Sequence, residues 1–306
     1  DHRDLHSFPT RRSSDLHMFM PLQDGIGISI IGEENVGKRM GQFKSVSTAF
    51  TLLSSLVVFF GFRFGWFSFD EPKKIVFLIG AVMFLITAAL LFKMQKLVKT
   101  PVHSDRKLKL IFRKEYKLYY ILAILNGAQK QIILVYAPWV LIDILGKKAD
   151  TIVMLSILSS FVGMFFLQFL GRAIDKYGIK KLLYADALSF IIVYAAYGII
   201  TFGFSSGRLG TYGLPVILTF VIFILDRLSM QFSMVRMLYL RSISFDLSEI
   251  TQTLSLGISM DHIFTIFYAY LGGLIWVTFG PQYIFFLTAA LSLVNLVVAK
   301  LVVIKE

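Results

Sequence analysis

Three apolar stretches carry charged side chains near their middles. In residues 118–144, Asn126, Gln129 and Lys130 are spaced i, i+3, i+4 and share one face if the stretch is helical. In 212–238, Asp226 and Arg227 are adjacent, hence about 100° apart on a helix. Asp226 heads a stripe with Ser229 and Ser233, and Arg227 a neighbouring one with Gln231. In 252–279, Gly257, Asp261, Thr265 and Tyr268 form a third polar stripe, with His262 beside it. Lysine and arginine recognise anions, a carboxylate takes up a cation or a proton, and histidine titrates near neutrality. The chemistry open to such a set is recognition of a small solute coupled to proton exchange. The other reading is a buried ion-pair network that ties helices together.

Other chemistries lack their residues. The five histidines have no metal-ligand spacing, and no glycine loop with its lysine cradles a phosphate. No Ser-His-Asp set can be argued, so no enzyme and no cofactor are expected. Without cysteine there are neither disulfides nor thiolate metal sites.

The elements that must position these residues are membrane spans. The chain is 56% hydrophobic and only 16% charged, with mean hydropathy +0.71, whereas soluble domains are about a quarter charged. Crossing the hydrocarbon core takes roughly 20 apolar residues in a helix. The backbone must satisfy itself there, and no alternating barrel pattern occurs. Residues 17–31 read as the end of one span. Whole spans follow at 45–62, 74–94, 118–144, 151–170, 182–203, 212–238, 252–279 and 282–304. Pro138 is expected to kink the span 118–144. The fold class is therefore an all-α membrane protein with one partial and eight complete transmembrane helices.

Residues 1–16, DHRDLHSFPTRRSSDL, are polar and match nothing downstream. They resemble the conceptual translation of a sequencing-library adapter and are excluded from fold reasoning. On that reading the native chain begins further upstream.

Lysine and arginine set the orientation. Twenty lie on one side, around residues 38–44, 93–117, 172–181, 236–241 and 300–305, against six on the other at Arg63, Lys73, Lys74, Lys147, Lys148 and Arg208. The richer side is expected to face the cytoplasm, placing the loop 95–117 and the C-terminus there. The net charge of +12 is thus read as topology, with no nucleic-acid partner. Loop 95–117 is also the best domain boundary. It separates residues 17–94 from a six-helix block, 118–306. Near one span end, Asp186 is expected to pair with Lys180 or Lys181.

Between two spans of that block lies GRAIDKYGIKK, residues 171–181. Gly171 is expected to end a helix, Asp175 to accept the amides of the next helix or pair with a base, and Gly178 to allow a second reversal. The stretch resembles the signature loop of the major facilitator superfamily, G-x-x-x-D-R/K-x-G-x-R/K-R/K. Gly171, Asp175, Lys176, Gly178, Lys180 and Lys181 match. Ile179 departs from versions with a base directly after the second glycine. The family carries this loop between helices 2 and 3 and again, often degraded, between helices 8 and 9. Aligned from the C-terminus, this copy is the second.

The resemblance covers residues 17–306 and implies a bundle of the superfamily's type running from the end of helix 4 to helix 12, the preceding helices missing. Residues 17–94 would close the N-terminal half, 95–117 would be the central linker, and 118–306 the complete C-terminal half. It further implies a loop that latches onto neighbouring helix ends in one conformation and releases in another, and a central cavity lined by helices 7 and 10 with helix 11 beside it. Function follows as secondary active transport of a small solute by alternating access, with protons or another ion as coupling partner. The location would be the cytoplasmic membrane, and this chain alone would be inactive. The rival reading is a polytopic membrane sensor or scaffold that transports nothing.

Overall fold

The computed structural model describes residues 21–66, 74–97 and 111–304. The adapter-like residues 1–16 and most of the basic loop 95–117 lie outside the described residues. What is described is helix joined by short turns, with no strand among the described residues. After a helix over 21–30, here α1, come α2 (Val36–Arg63), α3 (Lys74–Leu97), α4 (Lys114–Ile144), α5 (Ala149–Tyr177), α6 (Ile179–Ser205), α7 (Leu214–Ile243), α8 (Leu247–Thr278) and α9 (Pro281–Leu301). Each of α2 to α9 is long and apolar enough to span a bilayer. All eight whole spans read from the sequence are present.

The chain divides into two compact units, one made of the residues up to Thr48 with those from Leu110 onward, the other of Ala49–Lys109. In the second unit, Phe77–Met94 of α3 buries none of its side chains, as a lipid-facing helix does. In the first unit α6 packs along α9 and α4 along α8. Lipid supplies no hydrophobic drive between helices, so close approach at small residues must hold them. Gly127 of α4 faces the Asp261 backbone, and Gly198 of α6 takes the Phe286 ring. Gly272 of α8 meets the Tyr136 hydroxyl, while Gly273 faces open space. Two cores result, one around Tyr119, Leu167 and Met234, the other around Tyr194, Tyr197 and Phe285.

Helix ends follow turn chemistry. Pro281 opens α9, where its missing N–H costs nothing. Pro138 stands between two π-helical stretches, Ile132–Tyr136 and Val140–Ile144, so the expected distortion of α4 takes the form of local widening.

The stretch 171–181 is not the loop expected. Gly171 lies inside α5, which continues to Tyr177. Gly178 alone, at φ 83°, separates α5 from α6. The polar composition there marks the exit from hydrocarbon, and only the left-handed residue ends the helix.

Candidate functional site

A cavity of about 480 Å³ opens among α1, α2, α4, α5, α7 and α8 of the first unit. Of the residues singled out in the sequence, Asn126, Lys130, Arg227 and Asp261 line it. Gln129 does not; it is buried in helix packing, and its carbonyl oxygen Oε1 has no partner. Asp226 is fully buried and outside the lining, and neither carboxylate oxygen has a hydrogen-bond partner. The neighbours Asp226 and Arg227 thus do turn different ways, one into the protein and one into the cavity.

Apart from Arg227, the charges of the wall are paired. Lys130 Nζ of α4 reaches Asp261 Oδ2 of α8 at 3.1 Å. His262 is absent from the lining, yet its Nδ1 stands 3.6 Å from the same oxygen and 2.7 Å from the Ile258 carbonyl. Thr265 Oγ1 lies 2.8 Å from the Asp261 carbonyl and 3.2 Å from Oδ1, so its hydroxyl steadies this turn of α8. A second ion pair joins Lys44 of α2 to Asp24 of α1. Arg227 lies over the Phe223 ring, 5.0 Å from its centroid, and its buried Nε has no hydrogen-bond partner.

The third pair is a correction. Asp186 does not bond Lys180 or Lys181; it takes Arg236 Nη1 of α7 at 2.6 Å. Arg236 Nη2 also donates to Asn126 Oδ1 at 2.7 Å. Arg236, counted in the sequence as an orienting surface base, is 5% exposed and lines the cavity. Both residues lie about two turns in from the same end of antiparallel neighbours, α6 and α7. Equal depth was the signal available in the sequence. Lys180 instead donates to the Lys300 carbonyl at 3.2 Å.

The polar stripes divide as well. Gly257 and Asp261 face the cavity, but Tyr268 turns into the core to meet Thr288 at 2.5 Å. Ser229 is buried, whereas Ser233 lines the cavity. Between them Met230–Phe232 forms a 3-10 turn, whose tighter winding rotates the rest of α7 relative to a straight helix.

The signature residues lie elsewhere, at the basic end of the same unit. Asp175 Oδ1 and Oδ2 accept the backbone N–H groups of Gly37 and Lys38, each at 2.7 Å. The helix it caps is α2, not the one that follows it in sequence. Gly37 and Gly41 of α2 face Gly171, and a methyl on any of the three would collide with backbone across the contact. Beside it, Gln168 Nε2 donates to Ser45 Oγ at 3.1 Å, while Asn295 Oδ1 has no partner. Lys176 lies over its neighbour's ring, 5.0 Å from the Tyr177 centroid.

These helices and charges define an all-α, polytopic, integral membrane protein with a charged internal cavity. No family model matches the chain, and no curated protein sequence matches it.

Proposed function

We propose that the protein is a secondary active transporter of a small solute, working by alternating access in the manner of the major facilitator superfamily. The observation that carries this reading is the cavity wall. Lys130–Asp261, Lys44–Asp24 and Arg236–Asp186 set ion pairs between different spans around about 480 Å³ of space. Lys130 and Asp261 stand near the middles of their spans, where a charge costs about 2.5–3.5 kcal/mol to insert. A wall of paired charges exchanges partners with an entering solute or proton at modest cost, because each pair can open as the new contact forms. Asp261 is the proton-exchanging candidate, with Lys130 and His262 as its partners. The Asp175 contact on α2 supports the reading as the latch: it joins helix ends through two hydrogen bonds and a glycine seam.

The orientation in this proposal places the lysine-rich helix ends in the cytoplasm and the protein in the cytoplasmic membrane. The test is uptake into proteoliposomes by the protein expressed from its native gene, over a panel of small solutes, with and without an imposed pH gradient. Accumulation that collapses with the gradient and is lost in Lys130→Ala at normal membrane levels supports transport. Absence of movement for every solute, in protein that is folded and inserted, favours the sensor or scaffold.

A further inference from the structure

The basic end of the first unit holds a second cavity, separate from the one above. Its walls are the α1–α2 turn at Glu33, the start of α2 at Gly37, the α5–α6 junction at Lys180 and Lys181, Arg241 of α7, and Val303 beyond α9. Three cations border it against two carboxylates, Glu33 and Asp175, and both Asp175 oxygens are already taken by the amides of α2. Lys180 is held by the Lys300 carbonyl. Arg241 Nη2 donates to the carbonyl oxygens of Ile31 and Gly32 at 3.1 and 3.3 Å. That leaves one nitrogen of Arg241, whose charge the nearby Glu33 carboxylate offsets in part, and the ammonium of Lys181. Arg241 Nη1 is buried without a hydrogen-bond partner, and Lys181 makes no hydrogen bond or ion pair among the described residues. A buried guanidinium nitrogen lacking an acceptor is an unmet demand for a charged oxygen.

Apolar surface lies alongside. Tyr177 is 50% exposed and Val303 77% exposed at the same opening. The level is that of lipid headgroups: α6 has 27 residues, more than the roughly 20 that the hydrocarbon core takes, and Lys180 and Lys181 are in its first turn.

We propose that this pocket binds the phosphate of an anionic phospholipid, with the phosphate oxygens on Lys181 and Arg241 and the acyl chains along Tyr177 and Val303. Basic pockets between spans at this depth suit such headgroups. The bound lipid would touch both partners of the Asp175 contact, the start of α2 and the end of α5, and so favour the capped arrangement. The proposal is independent of transport.

The test is native mass spectrometry of the purified protein released from micelles supplied with equal phosphatidylglycerol and phosphatidylcholine. Preferential retention of phosphatidylglycerol is expected, falling about fivefold in Lys181→Gln and kept in Lys181→Arg, since each surface cation contributes about that factor. Lys181 makes no other polar contact among the described residues, so its loss leaves the fold intact even if Arg241→Gln, which frees two carbonyls, does not fold. Equal retention of the two lipids, or an unchanged preference in Lys181→Gln, overturns the proposal. Displacement of the lipid by millimolar inorganic phosphate also overturns it, assigning the pocket to a soluble anion.

Discussion

The carboxylate of Asp175 accepts the backbone N–H of Gly37, 138 positions away in the chain, at 2.7 Å. Its second oxygen takes the N–H of Lys38. A side chain at the end of α5 is therefore the N-cap of α2. The first amides of a helix have no partner of their own and carry the positive end of its dipole, so an anion suits them. The chain enters α2 through Asn35 at φ 52°, a turn that leaves those amides facing α5. An N-cap contributes about 1 kcal/mol, which suits a contact that must form and break.

Asp175→Ala should therefore loosen one place and little else. Hydrogen exchange at the Gly37 and Lys38 amides should quicken about fivefold, the equivalent of one lost cap. Asp175→Asn should restore much of the protection, since an amide oxygen still caps. Uptake should slow more than membrane abundance falls. Exchange rates unaltered in Asp175→Ala would remove this contact from the account.

The Lys130–Asp261 pair separates function from scaffolding through a double mutant. Lys130→Ala leaves Asp261, which is 6% exposed, without its cation. Losing one partner of a fully buried pair costs about 3–5 kcal/mol, and the cavity beside Lys130 should bring the cost below that. Lys130→Met with Asp261→Asn removes both charges and should recover thermal stability. If the pair works in transport, the double variant stays inactive at wild-type stability. Recovery of uptake along with stability would make the pair structural.

The spans were legible because their signal is length and greasiness, neither of which depends on tertiary partners. Asn126, Lys130, Arg227 and Asp261 stand out in the sequence because polar groups within an apolar span need a partner or a wet setting, and all four line the cavity. Gln129 and Asp226 read the same way but turned into the protein, since spacing fixes a face only relative to its own helix. Arg236 was hidden for the opposite reason. Near a helix end, an arginine that orients the chain and one buried against Asp186 look alike until the neighbouring helix is known. The end of α5 was misplaced because polarity reports where hydrocarbon stops, whereas the backbone stops being helical at Gly178.

Asp186 and Arg236 should prove the more expensive pair to break. Their side chains are 1% and 6% exposed, less than those of Lys130 and Asp261. Asp186→Ala should destabilise by about 3–5 kcal/mol, because Arg236 would keep only neutral partners, the Asn126 carbonyl and the Phe190 ring. Asp186→Asn, which preserves an acceptor, should cost less. Unfolding in a graded series of detergent mixtures measures both. Equal stability of Asp186→Ala and the parent protein would mean that Arg236 is solvated through the cavity.

The orientation can be tested directly, because the chain has no cysteine and any introduced thiol reports alone. Lys148 precedes α5 and Lys176 lies in its last turn, so the two are separated by a whole span. Both are exposed. The excess of lysine and arginine on the Lys176 side should hold that side in the cytoplasm, because cytoplasmic loops retain positive charge during insertion. In intact cells a membrane-impermeant maleimide should label Lys148→Cys and spare Lys176→Cys, and permeabilisation should expose both. The reverse pattern would invert every span. The Asp175 contact would then close the outer face, and the basic pocket around Lys181 would meet the outer leaflet, where anionic lipid is not the expected occupant.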